Sequence, residues 1–218
     1  MNKNIYPVTA EGLFSIISSS KFRDNLKELG NPEYVNEKAF AILKEIYSDQ
    51  FIIGDTGEGQ ENNVMGSGLW DFGSEHNDGK LSYFLFSLHS HPDGFVVPSI
   101  ANRGRGDLLG LSNMRRDYLN DYGLDFRPIE GIVSSFDEKL IDVLLIQEKT
   151  KFLTSHIILE DYNDIFDDLR YPKPEEIVRI LEETGLYNVA HLLINNHKIP
   201  KKYLRLLRKF EFTPKVIE

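Results

Sequence analysis

The hydrophobic and polar positions of the first half follow first helical and then extended patterns. Apolar residues recur every three to four positions over 10–20 and from Glu33 to Tyr47, which predicts two amphipathic helices. Phe51-Ile52-Ile53 predicts a short buried strand, and the mostly apolar run from Leu81 to Leu88 predicts a longer one. The long strand ends directly at two histidines.

Further patterns continue this alternation. A helix is predicted from Asp107 to Leu119, and the runs Gly131 to Ser135 and Leu140 to Ile146 predict a β-hairpin. Phe152 to Leu159 predicts another strand. Together the patterns predict an α/β (α+β) fold with a central mixed β-sheet flanked by helices.

The character of the chain changes near Glu160, where an acidic connector begins that ends at Tyr171-Pro172-Lys173-Pro174. Three short helical patterns follow, at 174–183, 187–196 and 201–210. We therefore expect two domains, residues 1–160 and a three-helix C-terminal appendage at 161–218.

The composition and the net charge argue against several classes of function. The formal charge of −9 over 218 residues argues against nonspecific nucleic-acid binding, which needs a basic surface. No apolar run has the length of a membrane helix, and the N-terminus lacks the apolar segment of a signal peptide, so we expect a cytoplasmic protein, with non-classical export left open. The chain has no Cys, so any metal must be held by His, Asp or Glu.

The sequence His89-Ser90-His91 follows the long apolar strand. Because side chains alternate along a strand, both imidazoles project to the same side. With Asp107 at the start of the next helix, they form the ligand set of a catalytic zinc with an open fourth position. Ser99, in the intervening loop, could donate a hydrogen bond to a developing oxyanion. The structural alternatives are a His pair without a metal and a serine that caps a local turn.

The run His89-Ser90-His91-Pro92, with Ser99 as the seventh residue after Pro92, resembles the motif of the JAMM (MPN+, or JAB-domain) zinc metalloproteases, and the resemblance covers residues of about 30–150. It implies a sheet layered as in cytidine deaminases, Zn²⁺ as cofactor, and cleavage of a peptide or isopeptide bond. The implied partner is a protein or peptide substrate, such as a ubiquitin-like conjugate. Members of the family also occur as bacterial toxin or effector domains.

Two departures from the family pattern bear on the site. The pattern expects Asp three residues after Ser99, where this chain has Asn102. Since a neutral amide is a poor zinc ligand, Asp107 is the favoured third ligand, reached through a loop that Gly104 and Gly106 allow to bulge. This choice leaves open which of the two residues faces the metal.

The family also places a Glu, the general base, at the start of the strand after the first long helix. The residue before Phe51-Ile52-Ile53 is Gln50, which cannot accept a proton usefully. Three explanations stay open: a catalytically weak protein, a Glu-to-Gln change, or another acid as base. The other acids are Glu45, Asp49, Glu58 and Glu61.

The alternative function comes from a different class. Gln50 and Asn102 favour a catalytically inactive JAMM-like scaffold that binds another protein, with the C-terminal helices as its interaction arm. The sequence does not predict an oligomeric state.

Overall fold

The structure, a computed structural model, describes residues 5–31, 33, 36–58, 82–91, 95–98, 106–137, 140–149, 173–195 and 198–217. Its helices are α1 (Ala10–Ile17), α2 (Ser20–Leu29), α3 (Asp107–Tyr122), α4 (Pro174–Glu183) and the single turn α5 (Leu204–Leu207), which a 3-10 turn (Lys201–Tyr203) precedes. Its strands are β1 (Lys38–Glu45), β2 (Phe51–Ile53), β3 (Gly57–Glu58), β4 (Ser82–Ser90), β5 (Leu124–Asp125), β6 (Ile129–Asp137), β7 (Leu140–Glu148), β8 (Tyr187–Asn195) and β9 (Lys215–Val216).

The main sheet has the strand order β2-β1-β4-β6-β7-β8, and β3 also pairs with β1. Strands β4 and β6 are parallel, whereas the neighbouring pairs on either side are antiparallel. A parallel pair needs a crossover connection, and α3 lies between these two strands in the chain. The predicted mixed sheet flanked by helices is therefore confirmed.

Two hydrophobic cores cover the two faces of the sheet. On one face, Leu13 of α1 and Leu26 of α2 are fully buried in the larger core. On the other face, Leu109 of α3 and Ile177 of α4 pack with Ile132 of β6 in the second core. The α3 and α4 face also carries the predicted metal ligands, as shown below.

Several predicted elements are confirmed. The strand at 51–53, the long strand that ends at the histidines and the helix that begins at Asp107 are all present. The hairpin is the β6–β7 pair. The predicted N-terminal helix ends earlier, at Ile17, because the Ser19 side chain accepts a hydrogen bond from the Phe22 N–H and so caps a second helix, α2.

The helix predicted from Glu33 to Tyr47 is wrong, because this segment contains strand β1. All residues of β1 are buried, since β2 and β4 flank it and both sheet faces are covered. A strand buried on both faces loses the alternation of apolar and polar residues that identifies a half-buried strand. Its run of apolar residues therefore also matched a helical pattern.

The predicted three-helix appendage is also corrected. Its first helix is α4, but the segment 187–196 contains strand β8, which pairs with β7 along its whole length. The third segment forms only the 3-10 turn and α5, and Leu207 lies in the larger core with Leu13 of α1. The segment after the predicted domain boundary thus completes the main sheet. The boundary at 160, the acidic connector and the strand predicted at Phe152 to Leu159 lie outside the described residues.

Among the described helices, none is both long enough and apolar enough to span a membrane.

Candidate metal centre

Strand β4 delivers the two histidines to one face of the sheet. His89 lies between Ala39 of β1 and Ile132 of β6 in the strand register. His91 follows the last residue of β4, and its N–H donates to the Val133 carbonyl at 3.0 Å, which extends the parallel pairing by one residue. Since positions 89 and 91 are two apart, both imidazoles lie on the face of Ile132, which is the face that α3 covers.

Asp107 reaches the histidines from the first turn of α3. The residue before it, Gly106, has φ 139° and ψ 156°, a backbone conformation that is essentially restricted to glycine. Asp107 Oδ1 lies 3.3 Å from His89 Nε2, and Oδ2 lies 3.7 Å from His91 Nε2. The structure therefore brings together the three residues that the sequence predicted as metal ligands.

The spacing of these atoms fits a tetrahedral metal. The two Nε2 atoms are 3.0 Å apart, and one ligand atom from each of His89, His91 and Asp107 lies within 4.8 Å of the others. Ligands at about 2.0–2.1 Å from a tetrahedral zinc are about 3.3 Å from one another. The separations of 3.0, 3.3 and 3.7 Å lie near this value, and the two distances to Asp107 end on different oxygens of its carboxylate. With three protein ligands, a fourth position remains for a water or a substrate.

Glu130 of β6 holds the far side of the His89 ring. Its Oε1 lies 2.7 Å from His89 Nδ1, and both residues are buried. A carboxylate that accepts from Nδ1–H leaves the lone pair of Nε2 free for a metal and fixes the ring orientation. Sequence analysis did not identify Glu130. The available signal was an acidic residue within the otherwise uncharged first part of an apolar strand.

The electrostatics of this cluster favour a bound cation. Burial by itself lowers the pKa of His89, but Asp107 and Glu130 outweigh it and hold that pKa well above its usual value. Burial raises the pKa of Glu130 to about 7, against the hydrogen bond with His89, which lowers it. Two carboxylates thus surround one buried imidazole, and a proton or a metal ion must balance their charge.

Gln50 lies away from this centre. It is exposed in the turn after β1, where its N–H donates to Ser48 Oγ at 3.1 Å. The next residue, Phe51, pairs with Lys44, whereas the β1 residue opposite His89 is Ala39. At about 3.3 Å per residue, these two β1 positions are roughly 16 Å apart.

Of the other acids proposed as the base, two lie at the far end of β1, one lies on the opposite face of the sheet edge from His89, and one falls outside the described residues. Glu45 and Asp49 lie at the same end of β1 as Gln50. Glu58 pairs with Lys38, whose side chain lies on the opposite face of β1 from Ala39. Glu61 lies outside the described residues.

Glu37 is the acid that the strand register directs to the centre. Ala39 pairs with His89, and the Lys38 N–H donates to Ser90 Oγ at 2.9 Å, so the two chains stay adjacent beyond this pair. Continuing the antiparallel register places the half-buried Glu37 opposite His91, on the face of His89. Glu37 was not among the predicted site residues because a helix was predicted there. Counting by twos from Ala39 in an extended strand would have identified it.

The predicted oxyanion residue Ser99 and the alternative ligand Asn102 lie outside the described residues. Val96, in the described part of the same loop, is 5 % exposed and packs in the core that contains Leu108 and Leu109 of α3. The described residues 95–98 therefore lie against the helix that carries Asp107.

No protein-family model matches this chain, and no curated protein matches it either.

Proposed function

We propose that this chain is a zinc-dependent hydrolase of the JAMM type that cleaves a peptide or isopeptide bond of a protein substrate. The observation that carries the proposal is the convergence of His89, His91 and Asp107 at separations that suit one tetrahedral ion. Two imidazoles and a carboxylate are the ligands of many catalytic zinc sites. The position of Glu130 behind His89 supports the same interpretation.

When bound, zinc supplies a Lewis acid that polarises a carbonyl and lowers the pKa of a coordinated water. Glu37 is the proposed general base: it takes a proton from the attacking water and later returns it to the leaving amine. Ser99 is the proposed donor to the oxyanion. Gln50 is not required for this chemistry.

The JAMM assignment also agrees with the order of elements. The family pattern expects a Glu at the start of the strand that follows the first long helix, and Glu37 precedes β1, which follows α2. The resemblance also implies a hairpin after the helix that follows the motif, and the β6–β7 pair follows α3. The inactive-scaffold alternative rested on Gln50 and Asn102, and Glu37 removes the first of these arguments.

Zinc binding by the full chain tests the metal centre. Protein stripped of metal by chelation is titrated with Zn²⁺ against a chelating dye, and bound metal is measured by mass spectrometry. We expect one zinc ion per chain and a loss of more than about tenfold in affinity in Asp107→Asn, since even outer-shell partners are worth about 10- to 100-fold. The matched control is Asp117→Asn, the same change at an exposed position of α3. Equal affinities of the two variants would exclude this centre.

Hydrolysis is tested separately on zinc-loaded protein. Quenched fluorescent peptides and a ubiquitin isopeptide conjugate serve as substrates. Cleavage that zinc restores after chelation supports the hydrolase. Stoichiometric zinc without cleavage of any of these substrates would favour the binding scaffold instead.

A further inference from the structure

A second polar cluster lies beside the metal centre on the same face of the sheet. It contains Ser134 of β6, Asp142 of β7 and His191 of β8. Ser134 and Asp142 are paired in the strand register, and His191 Nε2 lies 2.6 Å from Asp142 Oδ1. None of these residues belongs to the proposed ligand set.

The register places this cluster next to His91. Ser90 pairs with Val133, and the His91 N–H donates to the Val133 carbonyl, which aligns His91 with Ser134. Neighbouring strands are about 4.8 Å apart, so Asp142 lies roughly 10 Å from His91 across two strand spacings. This is within the reach of one substrate residue beside the scissile bond.

The cluster has unused hydrogen-bonding capacity. Ser134 is 2 % exposed, and within the described part of the chain its Oγ has no hydrogen-bond partner. A buried hydroxyl that is left unpaired destabilises the fold, so a native site normally supplies a partner. In the same described part, the only partner of the Asp142 carboxylate is His191, which engages Oδ1. The side chains of Asp142 and His191 remain 14 % and 16 % exposed, which leaves a route for a ligand.

The geometry excludes a second metal centre of the same kind. The 2.6 Å separation of His191 Nε2 and Asp142 Oδ1 is that of a strong hydrogen bond. Two ligands of one tetrahedral zinc are about 3.3 Å apart. The groups that remain available are oxygen acceptors, Ser134 Oγ and Asp142 Oδ2, and they suit a ligand with several N–H donors and a positive charge.

We propose that Ser134 and Asp142 form a subsite that binds a lysine or arginine side chain of the substrate next to the scissile bond. His191 is a positioning residue that holds the Asp142 carboxylate. This subsite rests on the proposed function, because it assigns a specificity to the reaction at the neighbouring metal centre.

Turnover of matched peptides tests the specificity. Peptides that differ only in arginine or norleucine at successive positions around the scissile bond are compared with zinc-loaded protein. We expect arginine at one position to raise kcat/KM about 10- to 100-fold, mainly through KM, as a charge-assisted hydrogen bond would. Asp142→Asn and Ser134→Ala should remove this preference, so that the arginine and norleucine peptides are turned over alike. Ser135→Ala, on the opposite face with its Oγ bonded to the Leu140 carbonyl, is the control and should keep it.

Binding to zinc-free protein tests the subsite without turnover. Acetyl-arginine amide is expected to give saturable NMR shifts at the amides of Ser134, Asp142 and His191, weakened about tenfold in Asp142→Asn, and acetyl-norleucine amide is expected to give none. Equal shifts with both compounds, or unchanged binding by Asp142→Asn, would overturn the subsite.

Arginine-specific binding without zinc uptake would support the subsite and refute the metal centre. Cleavage without any preference for arginine would support the metal centre and refute the subsite.

Discussion

Glu130 Oε1 and His89 Nδ1 are 2.7 Å apart, on the side of the imidazole that faces away from His91 and Asp107. This hydrogen bond keeps a proton on Nδ1 and fixes the orientation of the ring, so Nε2 is the nitrogen that faces His91 and Asp107 and would bind a metal once its own proton leaves.

Replacing Glu130 should therefore weaken zinc binding although Glu130 is not a ligand. We expect Glu130→Ala to lower zinc affinity about 10- to 100-fold, and Glu130→Gln to lower it less, since the amide oxygen still accepts from Nδ1–H. Competition with a chelating dye measures both. The control is Glu148→Gln, which breaks the buried pair with Arg115 at 2.8 Å. It should lower the free energy of unfolding without changing zinc affinity. Similar affinities in all three variants would contradict an orienting role for Glu130.

Glu37→Gln should separate metal binding from chemistry. The variant should bind zinc as the parent protein does, while turnover falls by about 10²- to 10⁴-fold, the usual contribution of a general base. Gln50→Glu and Gln50→Ala should both keep the parent rate, because Gln50 is exposed at the far end of β1. The assays are zinc stoichiometry and kcat on the best cleaved peptide. A rate gain in Gln50→Glu would restore Gln50 as the base position.

Gly106→Ala should disturb the presentation of Asp107. A side chain at φ 139° and ψ 156° is strained by about 1–3 kcal/mol, so the start of α3 should shift or fray. We expect a lower unfolding midpoint together with weaker zinc binding. Gly185→Ala is the control, since Gly185 also has a positive φ, of 72°, and lies after α4. It should lower stability alone. Unchanged zinc affinity in Gly106→Ala would show that this backbone conformation does not position the ligand.

The buried tyrosines predict a loss of stability at alkaline pH. Burial raises the pKa of Tyr83, whose hydroxyl donates to the Phe212 carbonyl at 3.1 Å, and burial likewise raises the pKa of Tyr118. A group with a raised folded-state pKa stabilises the fold fully below its unfolded pKa, here about 10, and loses that contribution as the pH rises further. The free energy of unfolding should thus fall above pH 10 by about 1.4 kcal/mol per pH unit for each tyrosine.

Urea unfolding of Tyr83→Phe at a series of pH values checks this slope. The variant should show a shallower fall above pH 10, smaller by about 1.4 kcal/mol per pH unit. Tyr47→Phe, the same change at a tyrosine that is 46 % exposed, is the control. Parallel curves for the parent and Tyr83→Phe would mean that Tyr83 ionises equally well in the folded state.

Local patterns predicted much of the site. The position of His89 and His91 at the end of a buried strand, and of Asp107 at the start of a helix, could be predicted because each depends on residues close in sequence. The i, i+2 spacing alone puts both imidazoles on one face. The hairpin of β6 and β7 was predictable for the same reason, since its strands are joined by a short turn.

The errors came from segments whose conformation depends on distant neighbours. Strand β1 is buried by β2, β4 and the larger core, and β8 pairs with β7 along its length. In isolation both segments also match helical spacing. The helix predicted over β1 hid Glu37 and placed the expected general base at Gln50.

The sequence by itself determined the chemistry that is available: a His-x-His pair, an aspartate and no cysteine, in an acidic α/β chain. Only the tertiary structure decided which acids reach the histidines. Extending the antiparallel β1–β4 register past its last pair, Ala39 and His89, puts Glu37 opposite His91, and the parallel β4–β6 pair places Glu130 behind His89 and Ser134 beside His91. The physical reason is that register between strands is set by non-local burial and hydrogen bonding, and a shift of one residue would turn each of these side chains to the other face.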